Sequence, residues 1–391
     1  MVADSKPHNS VDADYDVGII GAGITGLMVA YALAELGGYR VGVFEAKSEP
    51  GLGVTANQSE VVHVVQLPFN SLKSRLARDG NPMYDELCAH LGVPFKRVQT
   101  LLVTRSRLMI IPLILGYIYL KLNLRRQFRV RLMGSGGAHK LEPHLSKQVK
   151  GAIVVDGYGV VDSRALVAKL YEHLGKNVDF HFDCEVLSGR WLGGVFALNT
   201  KRGQYRCRCV VNAAGLYADQ VAARFGVKVE AIRPGLGVMA EYSGLSLGSI
   251  IAPFKLIQSG RTKGGGIIPT VRGTIIFGPT LRIVDRKEGV EVVDEDLHEL
   301  ESKFQPLLEE RGKLLRVYAG VRPLSPHGDF IVAEEYSGSL INLIGIESPG
   351  LTAAPALGRL VAQKVKGILE KSGMVDMGGK GGNTPWNNTV R

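Results

Sequence analysis

Three glycines, Gly21, Gly23 and Gly26, stand between a short apolar run, Asp16 to Ile20, and an apolar helical stretch that ends at Gly37 and Gly38. G-x-G-x-x-G at the join of a strand and a helix admits few folds, because each glycine has a separate physical task. Gly21 permits the tight turn, Gly23 lets the backbone approach a diphosphate, and Gly26 lets the helix pack closely on the strand. Arg40 to Phe44 reads as the next strand and closes a β-α-β unit of about thirty residues. Glu45 ends that strand, nineteen residues beyond Gly26. Its carboxylate suits ribose hydroxyls and would repel a ribose phosphate. The helix opening at Ala22, Ile24 and Thr25 offers N–H groups and a partial positive charge to phosphates. A dinucleotide site is the expectation, and this unit alone does not separate FAD from NAD.

The strand-then-helix grammar returns three times. It recurs at Ala152 to Val155 with Ser163 to Leu174, at Cys209 to Asn212 with Ala218 to Phe225, and at Leu340 to Ile344 with Thr352 to Leu369. Between these pieces, Gly266 to Pro279 and Leu315 to Leu324 alternate apolar and polar residues around glycine and proline, which suits antiparallel strands. A chain of 391 residues exceeds one simple core and suits two interleaved domains.

The net charge of +10 is compatible with an anionic substrate, an anionic membrane surface or nucleic acid. No aromatic-rich RNA-binding signature or zinc-ligand spacing accompanies the basic residues, so no nucleic-acid partner is expected. Cys88, Cys184, Cys207 and Cys209 form neither a metal-site spacing nor a dense disulfide framework, and a reducing cytoplasm is the default. In QYRCRCVV, Cys207 and Cys209 fall on one face of a strand as packing residues. The opening residues are polar, without a signal peptide's apolar run. The tail 371–391 reads as a flexible end.

Later segments carry a family resemblance. VVNAAGLYADQVA, with Ala214 and Gly215 after a strand, resembles the second nucleotide-contact segment of the D-amino-acid oxidase superfamily of flavoproteins. LINLIGIESPGLTAAPALG, where Gly350, Leu351 and Thr352 begin a helix, resembles that superfamily's flavin-facing turn, and Val186 in FDCEV matches the position whose backbone contacts the adenine. SLKSRLARDGNPMYDELCAHLGVPFKR, LEPHL, GYGVVDSRALVAKL and YAGVRPL resemble glycerol-3-phosphate dehydrogenases of the anaerobic type and L-2-hydroxyglutarate dehydrogenases. The resemblance implies FAD as cofactor and an α/β fold: a Rossmann-type FAD-binding domain with an interleaved, mainly antiparallel β-sheet substrate domain. The expected FAD-binding parts are 14–70, 146–228 and 321–370, and the expected substrate parts are 71–145 and 229–320.

The same resemblance assigns site residues. Arg322 in GVRPL matches the arginine that reaches over the flavin to an anionic substrate, a task suited to a fork that stays charged; the alternative is a structural arginine. Lys263 and Arg261 either add charge to that pocket or lie in a solvated loop. His63 is either the base that takes a hydroxyl proton or a residue packed on the flavin edge. The family's usual Arg-Asn-Ser-Gly is replaced here by Asn57, Gln58, Ser59 and Glu60, with Ser59 still expected to contact flavin. The implied reaction is oxidation of a small anionic secondary alcohol, with glycerol 3-phosphate ahead of L-2-hydroxyglutarate and of amines or amino acids. No second nicotinamide motif is present, so a quinone or an electron carrier is the expected acceptor.

One stretch fits none of this. Leu108 to Leu120 is almost wholly apolar, with Arg105 and Arg107 before it and Lys121, Arg125, Arg126, Arg129 and Arg131 after it. Thirteen residues are short of the roughly 20 a helix needs to cross a bilayer. The readings are an interfacial membrane helix on the inner face of the cell membrane, a docking surface for a small anchor subunit, or a buried element.

Overall fold

The computed structural model of the chain describes residues 12–255 and 264–371. All six residues of the strand Tyr15–Ile20 are buried, as in a strand covered on both faces. It sits inside a parallel array whose order is Leu340–Ile344, Gly203–Asn212, Tyr15–Ile20, Val41–Phe44 and Val178–His181. Ile331–Glu335 adds an antiparallel edge, and the hairpin Val186–Trp191 with Phe196–Thr200 folds out from the long strand Gly203–Asn212.

On one face lie the helices Ile24–Leu36, Leu72–Gly80, Met83–Leu91, Ser163–Leu174 and Gly350–Lys371, around a core that includes Leu27, Tyr84, Leu166 and Val361. The first and last of these helices touch backbone to backbone: a Cβ at Gly358 would fall 2.3 Å from the carbonyl oxygen of Met28. On the other face, Tyr15, Phe44, Cys207 and Phe225 pack under the hairpin. All four cysteines are free and buried, and burial raises the thiols of Cys88 and Cys209 to about 12. Cys207 and Cys209, expected on one face of the strand, instead join core clusters on opposite faces of the sheet.

The second sheet has ten strands, antiparallel except where Ser249–Pro253 runs parallel to Phe95–Thr104. Its longest pairing joins Arg233–Ser243 to Lys313–Leu324. Helix Asp294–Phe304 covers one face through Leu300 and Phe304. Helix Ile110–Leu124 covers the other through Leu113, Leu120 and Leu124.

Two expected pieces lie elsewhere. The strand at Ala152 to Val155 extends over Gly151–Val161 and belongs to the second sheet, although the helix that follows, Ser163–Leu174, packs in the first core. Asp162 caps that helix, accepting from the N–H groups of Arg164 and Ala165 at 3.1 and 3.0 Å, so a boundary between layers falls on a cap. Segment 72–91, expected with the substrate layer, packs on the C-terminal helix: a Cβ at Gly80 would meet the Thr352 carbonyl at 2.3 Å. The tail after Lys371 and residues 1–11 lie outside the described residues.

Candidate functional site

A cavity of about 1370 Å³ runs between the two sheets. Its wall includes Gly21, Gly23, Ile24, Thr25 and Glu45 from the first β-α-β unit, with Val186, Ala214 and Gly215 beside them. Farther along, Ser59, His63, Arg322, Gly350 and Leu351 line it. Residues from distant stretches of sequence thus meet in one space.

The glycine turn is built as its spacing requires. Gly21 has φ +104°, and a Cβ on Gly26 would lie 2.0 Å from the Gly21 carbonyl oxygen, so the helix can approach the strand only without a side chain there. A Cβ on Gly23, in contrast, would meet only Thr55 Oγ1, at 3.5 Å, so the space beside it is open to a diphosphate. Thr55 Oγ1 accepts from the Ile24 N–H at 3.1 Å and steadies the helix opening. Glu45 accepts from the N–H of Ala22 at 2.7 Å and of Lys47 at 2.9 Å, which presents the carboxylate at the cavity wall. Ala22 and Gly26 themselves are behind the wall and shape the turn without facing the cavity.

A second helix, Gly350–Lys371, opens on the same cavity at its far end, bringing another partial positive charge to it. Thr352 does not reach the cavity. It is fully buried, and its Oγ1 accepts the His63 N–H at 2.9 Å and approaches the Val61 carbonyl at 3.4 Å. Asn81 holds the His63 carbonyl at 2.9 Å, so the residue is clamped from both backbone sides. Thr352 is therefore a positioning residue for His63, in place of the cofactor contact expected of it.

His63 lies on the cavity wall with its ring 6.1 Å from that of Tyr158. Burial lowers its pKa to about 4, because the surrounding protein solvates the imidazolium poorly. The ring is neutral across the physiological range and able to accept a proton. Arg322 is deeply buried, and one Nη2 N–H goes to the Thr280 carbonyl at 3.0 Å. Its guanidinium lies over Gly237, where a Cβ would stand 2.2 Å from Nη2. Among the described residues no carboxylate lies within ion-pair distance of Arg322.

Sequence reasoning missed three cations. Lys255 lines the cavity. Lys303, just behind it, has a buried Nζ without a hydrogen-bond partner among the described residues. Burial, then repulsion from Lys255 and Arg322, lowers its pKa to about 8. Lys73, also on the wall, donates to the Gly328 carbonyl and stands 4.0 Å from Glu347, a pair buried on both sides. Lys263 and Arg261 lie outside the described residues.

Glu60, which stands where the family pattern has glycine, has φ +60°. Arg272 holds it there with two hydrogen bonds of 3.0 and 2.9 Å. Such a conformation costs a side-chain-bearing residue roughly 1–2 kcal/mol, and the forked ion pair offsets it. The loop Asn57–Glu60 thereby keeps a glycine-like path beside the cavity.

The family profile for DAO, FAD dependent oxidoreductase, matches residues 16–364. The chain belongs to that family. This FAD-dependent oxidoreductase is 28% identical over 370 residues to glycerol 3-phosphate dehydrogenase of Caloramator mitchellensis, covering 91% of this chain and 75% of that one. It is 29% identical over 415 residues to the mitochondrial L-2-hydroxyglutarate dehydrogenase of Arabidopsis thaliana, covering 89% and 83%. Its fold matches that of dithionite-reduced L-alpha-glycerophosphate oxidase from Mycoplasma pneumoniae with FAD bound, at TM-score 0.80 and 20% identity over 90% and 94% of the chains. Glycine oxidase from Geobacillus kaustophilus matches at TM-score 0.78 and 21% identity, over 94% and 98%. In this oxidoreductase the open space at Gly23, the carboxylate of Glu45 and the two helix N-termini fit FAD laid along the cavity. Gly21 to Thr25 would hold the diphosphate, and Gly350 and Leu351 would face the ring system.

Proposed function

We propose that this FAD-dependent oxidoreductase oxidises the CH–OH group of glycerol 3-phosphate to give dihydroxyacetone phosphate. The observation that carries the reading is a group of cations on and beside the cavity wall. Arg322 and Lys255 line it, Lys303 lies within reach of their charge, and no ion pair joins any of the three to a carboxylate among the described residues. Glu347 offsets part of the charge at Arg322 and Glu299 part of that at Lys303; a phosphate dianion relieves more of the repulsion that remains than a single carboxylate does. Arg322 still has N–H groups to offer in the fork geometry that phosphate oxygens match.

FAD bound in the cavity supplies the two-electron acceptor. The chain's own residues do the rest. Arg322, with Lys255 beside it, fixes the phosphate and so sets which carbon of the substrate reaches the cofactor's end of the cavity. His63, a neutral imidazole with its accepting lone pair on Nε2 or on Nδ1 according to tautomer, takes the hydroxyl proton as the carbon-bound hydrogen departs. Thr352 and Asn81 hold the His63 backbone from its N–H and its carbonyl, fixing the point from which the ring reaches the cavity.

The test is anaerobic titration of the FAD-loaded protein with candidate substrates, following loss of the flavin's visible absorbance. Glycerol 3-phosphate is expected to bleach it at the lowest concentration. Bleaching by L-2-hydroxyglutarate in preference would reassign the substrate to a dicarboxylate, and bleaching by glycine would move the reaction to a C–N bond.

A further inference from the structure

The helix Ile110–Leu124 is apolar on the side that faces solvent as well as on the side that faces the sheet. Ile111, Ile114, Leu115, Ile118, Tyr119 and Leu122 form one stripe at helical spacing, and Ile111, Leu115 and Leu122 are 72%, 62% and 60% exposed. Leu108, just before the helix, is 89% exposed. A contiguous apolar face of this kind on a folded chain marks a surface that is covered in use.

Three observations say what covers it. First, charge: Arg105, Arg107, Lys121, Arg125, Arg126 and Arg129 surround the stripe, and the sequence has no Asp or Glu between Glu86 and Glu142. Second, topology: the strands on either side, Phe95–Thr104 and Val130–Gly134, both pair with Gly151–Val161. Both ends of the helix are thus tied to one sheet. The helical run Arg107–Leu124 is long and apolar enough to cross a membrane by length and composition alone, but with both ends on one sheet and Leu113, Leu120 and Leu124 packed in that sheet's core it lies along a surface instead. Third, continuity with the site: Pro112, Leu115, Gly116 and Tyr119 also line the large cavity, together with Leu67 and Phe254. Leu115 and Tyr119 belong to both the exposed stripe and the cavity wall.

We propose that this helix docks the protein on an anionic phospholipid bilayer, at the inner face of the cell membrane, and that the cavity opens onto the docked face to admit a bilayer-dissolved quinone. This rests on the proposed alcohol oxidation for its electron source. In the net reaction the secondary alcohol loses two electrons and two protons to become a ketone, and the quinone gains both to become a quinol. The apolar stripe enters the headgroup boundary, the surrounding cations meet lipid phosphates, and the acceptor reaches the cofactor without passing through water.

The experiment uses the FAD-loaded full chain, without substrate, in flotation with phosphatidylcholine vesicles that contain or lack phosphatidylglycerol. Wild type is expected to float with the anionic vesicles, and more weakly with neutral ones or in high salt. Each cation at an anionic surface is worth roughly fivefold in binding, so Arg125→Gln with Arg126→Gln is expected to weaken flotation about 25-fold at low salt. Replacing Leu108, Ile111, Ile118 and Leu122 together by Ser is expected to abolish it. None of those four lines the cavity, so this variant should keep its turnover with a water-soluble dye while turnover with long-chain ubiquinone embedded in the vesicles falls by about tenfold or more. A wild type that stays in solution beside anionic vesicles overturns the docking, and points the patch toward a protein partner. Equal loss with dye and embedded quinone in the Ser variant overturns the access route. Flotation needs no substrate, so docking stands or falls separately from the choice of glycerol 3-phosphate.

Discussion

Arg322→Ala tests the substrate reading most directly, because its expected effect is confined to one half of the substrate. The guanidinium keeps one N–H on the Thr280 carbonyl and lies over Gly237, leaving two parallel N–H groups for a phosphate. Hydrogen bonds to charged groups contribute about 1.5–3 kcal/mol each. Water entering the vacated space and the remaining Lys255 and Lys303 offset part of the loss, so a net of about 3–4 kcal/mol is expected. At about 1.4 kcal/mol per decade, kcat/KM for glycerol 3-phosphate should fall by two to three orders of magnitude. Glycerol, which lacks the phosphate, supplies the other side of the cycle: its slow turnover should change by no more than about threefold. FAD content and bleaching by dithionite report whether the cofactor end is intact, and both should stay at wild-type levels. Arg322→Lys should recover only part of the loss, since a single ammonium cannot reproduce the fork. Equal losses for glycerol and glycerol 3-phosphate would sink the reasoning, because the arginine would then be supporting the fold or the cofactor.

Gly237→Ala should mimic much of that loss with the charge retained, because its methyl would displace Arg322 Nη2; kcat/KM for the phosphate ester is the measurement. Glu45→Ala should raise the dissociation constant for FAD by about ten- to a hundredfold through loss of charged hydrogen bonds to ribose, read from the fluorescence of released flavin. The pH profile carries two signs. His63, with its pKa lowered to about 4 by burial, stays a competent base until the pH falls toward that value. The acid limb of kcat/KM should therefore lie well below 6.5, and His63→Gln should remove about two or more orders of magnitude from kcat with FAD still bound. Lys303, lowered to about 8, loses its charge as pH rises through that value, so KM for glycerol 3-phosphate should climb on the alkaline side and do so less in Lys303→Met. Gly358→Ala forces a methyl against the Met28 carbonyl where the first and last helices touch, and should destabilise the fold by about 1–3 kcal/mol in chemical denaturation.

What could be read from the sequence was whatever a few consecutive residues decide. The β-α-β unit from Tyr15 to Glu45 closes on itself: the Gly26 approach to Gly21 and the Glu45 bond to Ala22 both lie within one crossover. Ser163–Leu174 has a readable start because its cap, Asp162, is the preceding residue. Strand Gly151–Val161 shows the limit of such reading. Its apolar run is the same whichever sheet it joins, and only pairing with Phe95–Thr104 and Val130–Gly134 decides.

The cavity wall was legible where backbone forms it and illegible where side chains from distant segments answer one another. Backbone contact requires glycine or a helix start, and both leave local marks at Gly21 to Gly26 and at Gly350. Thr352 was misread for that reason: it stands at a helix start, but its hydroxyl meets the His63 N–H across 289 residues of sequence. The cations had no local mark at all, since Lys255, Lys303 and Arg322 acquire meaning only through nearness to one another. Glu60 departs from the family's glycine in sequence yet keeps a glycine-like backbone, because Arg272, 212 residues away, holds its carboxylate. The helix Ile110–Leu124 is the reverse case. Its composition is apolar all round, so periodicity named no inward face, and the sheet settles the matter by taking Leu113, Leu120 and Leu124. What the fold leaves outside is then a continuous stripe at the cavity's edge, and its position beside the cofactor's space, more than its hydropathy, makes it a candidate route for the acceptor.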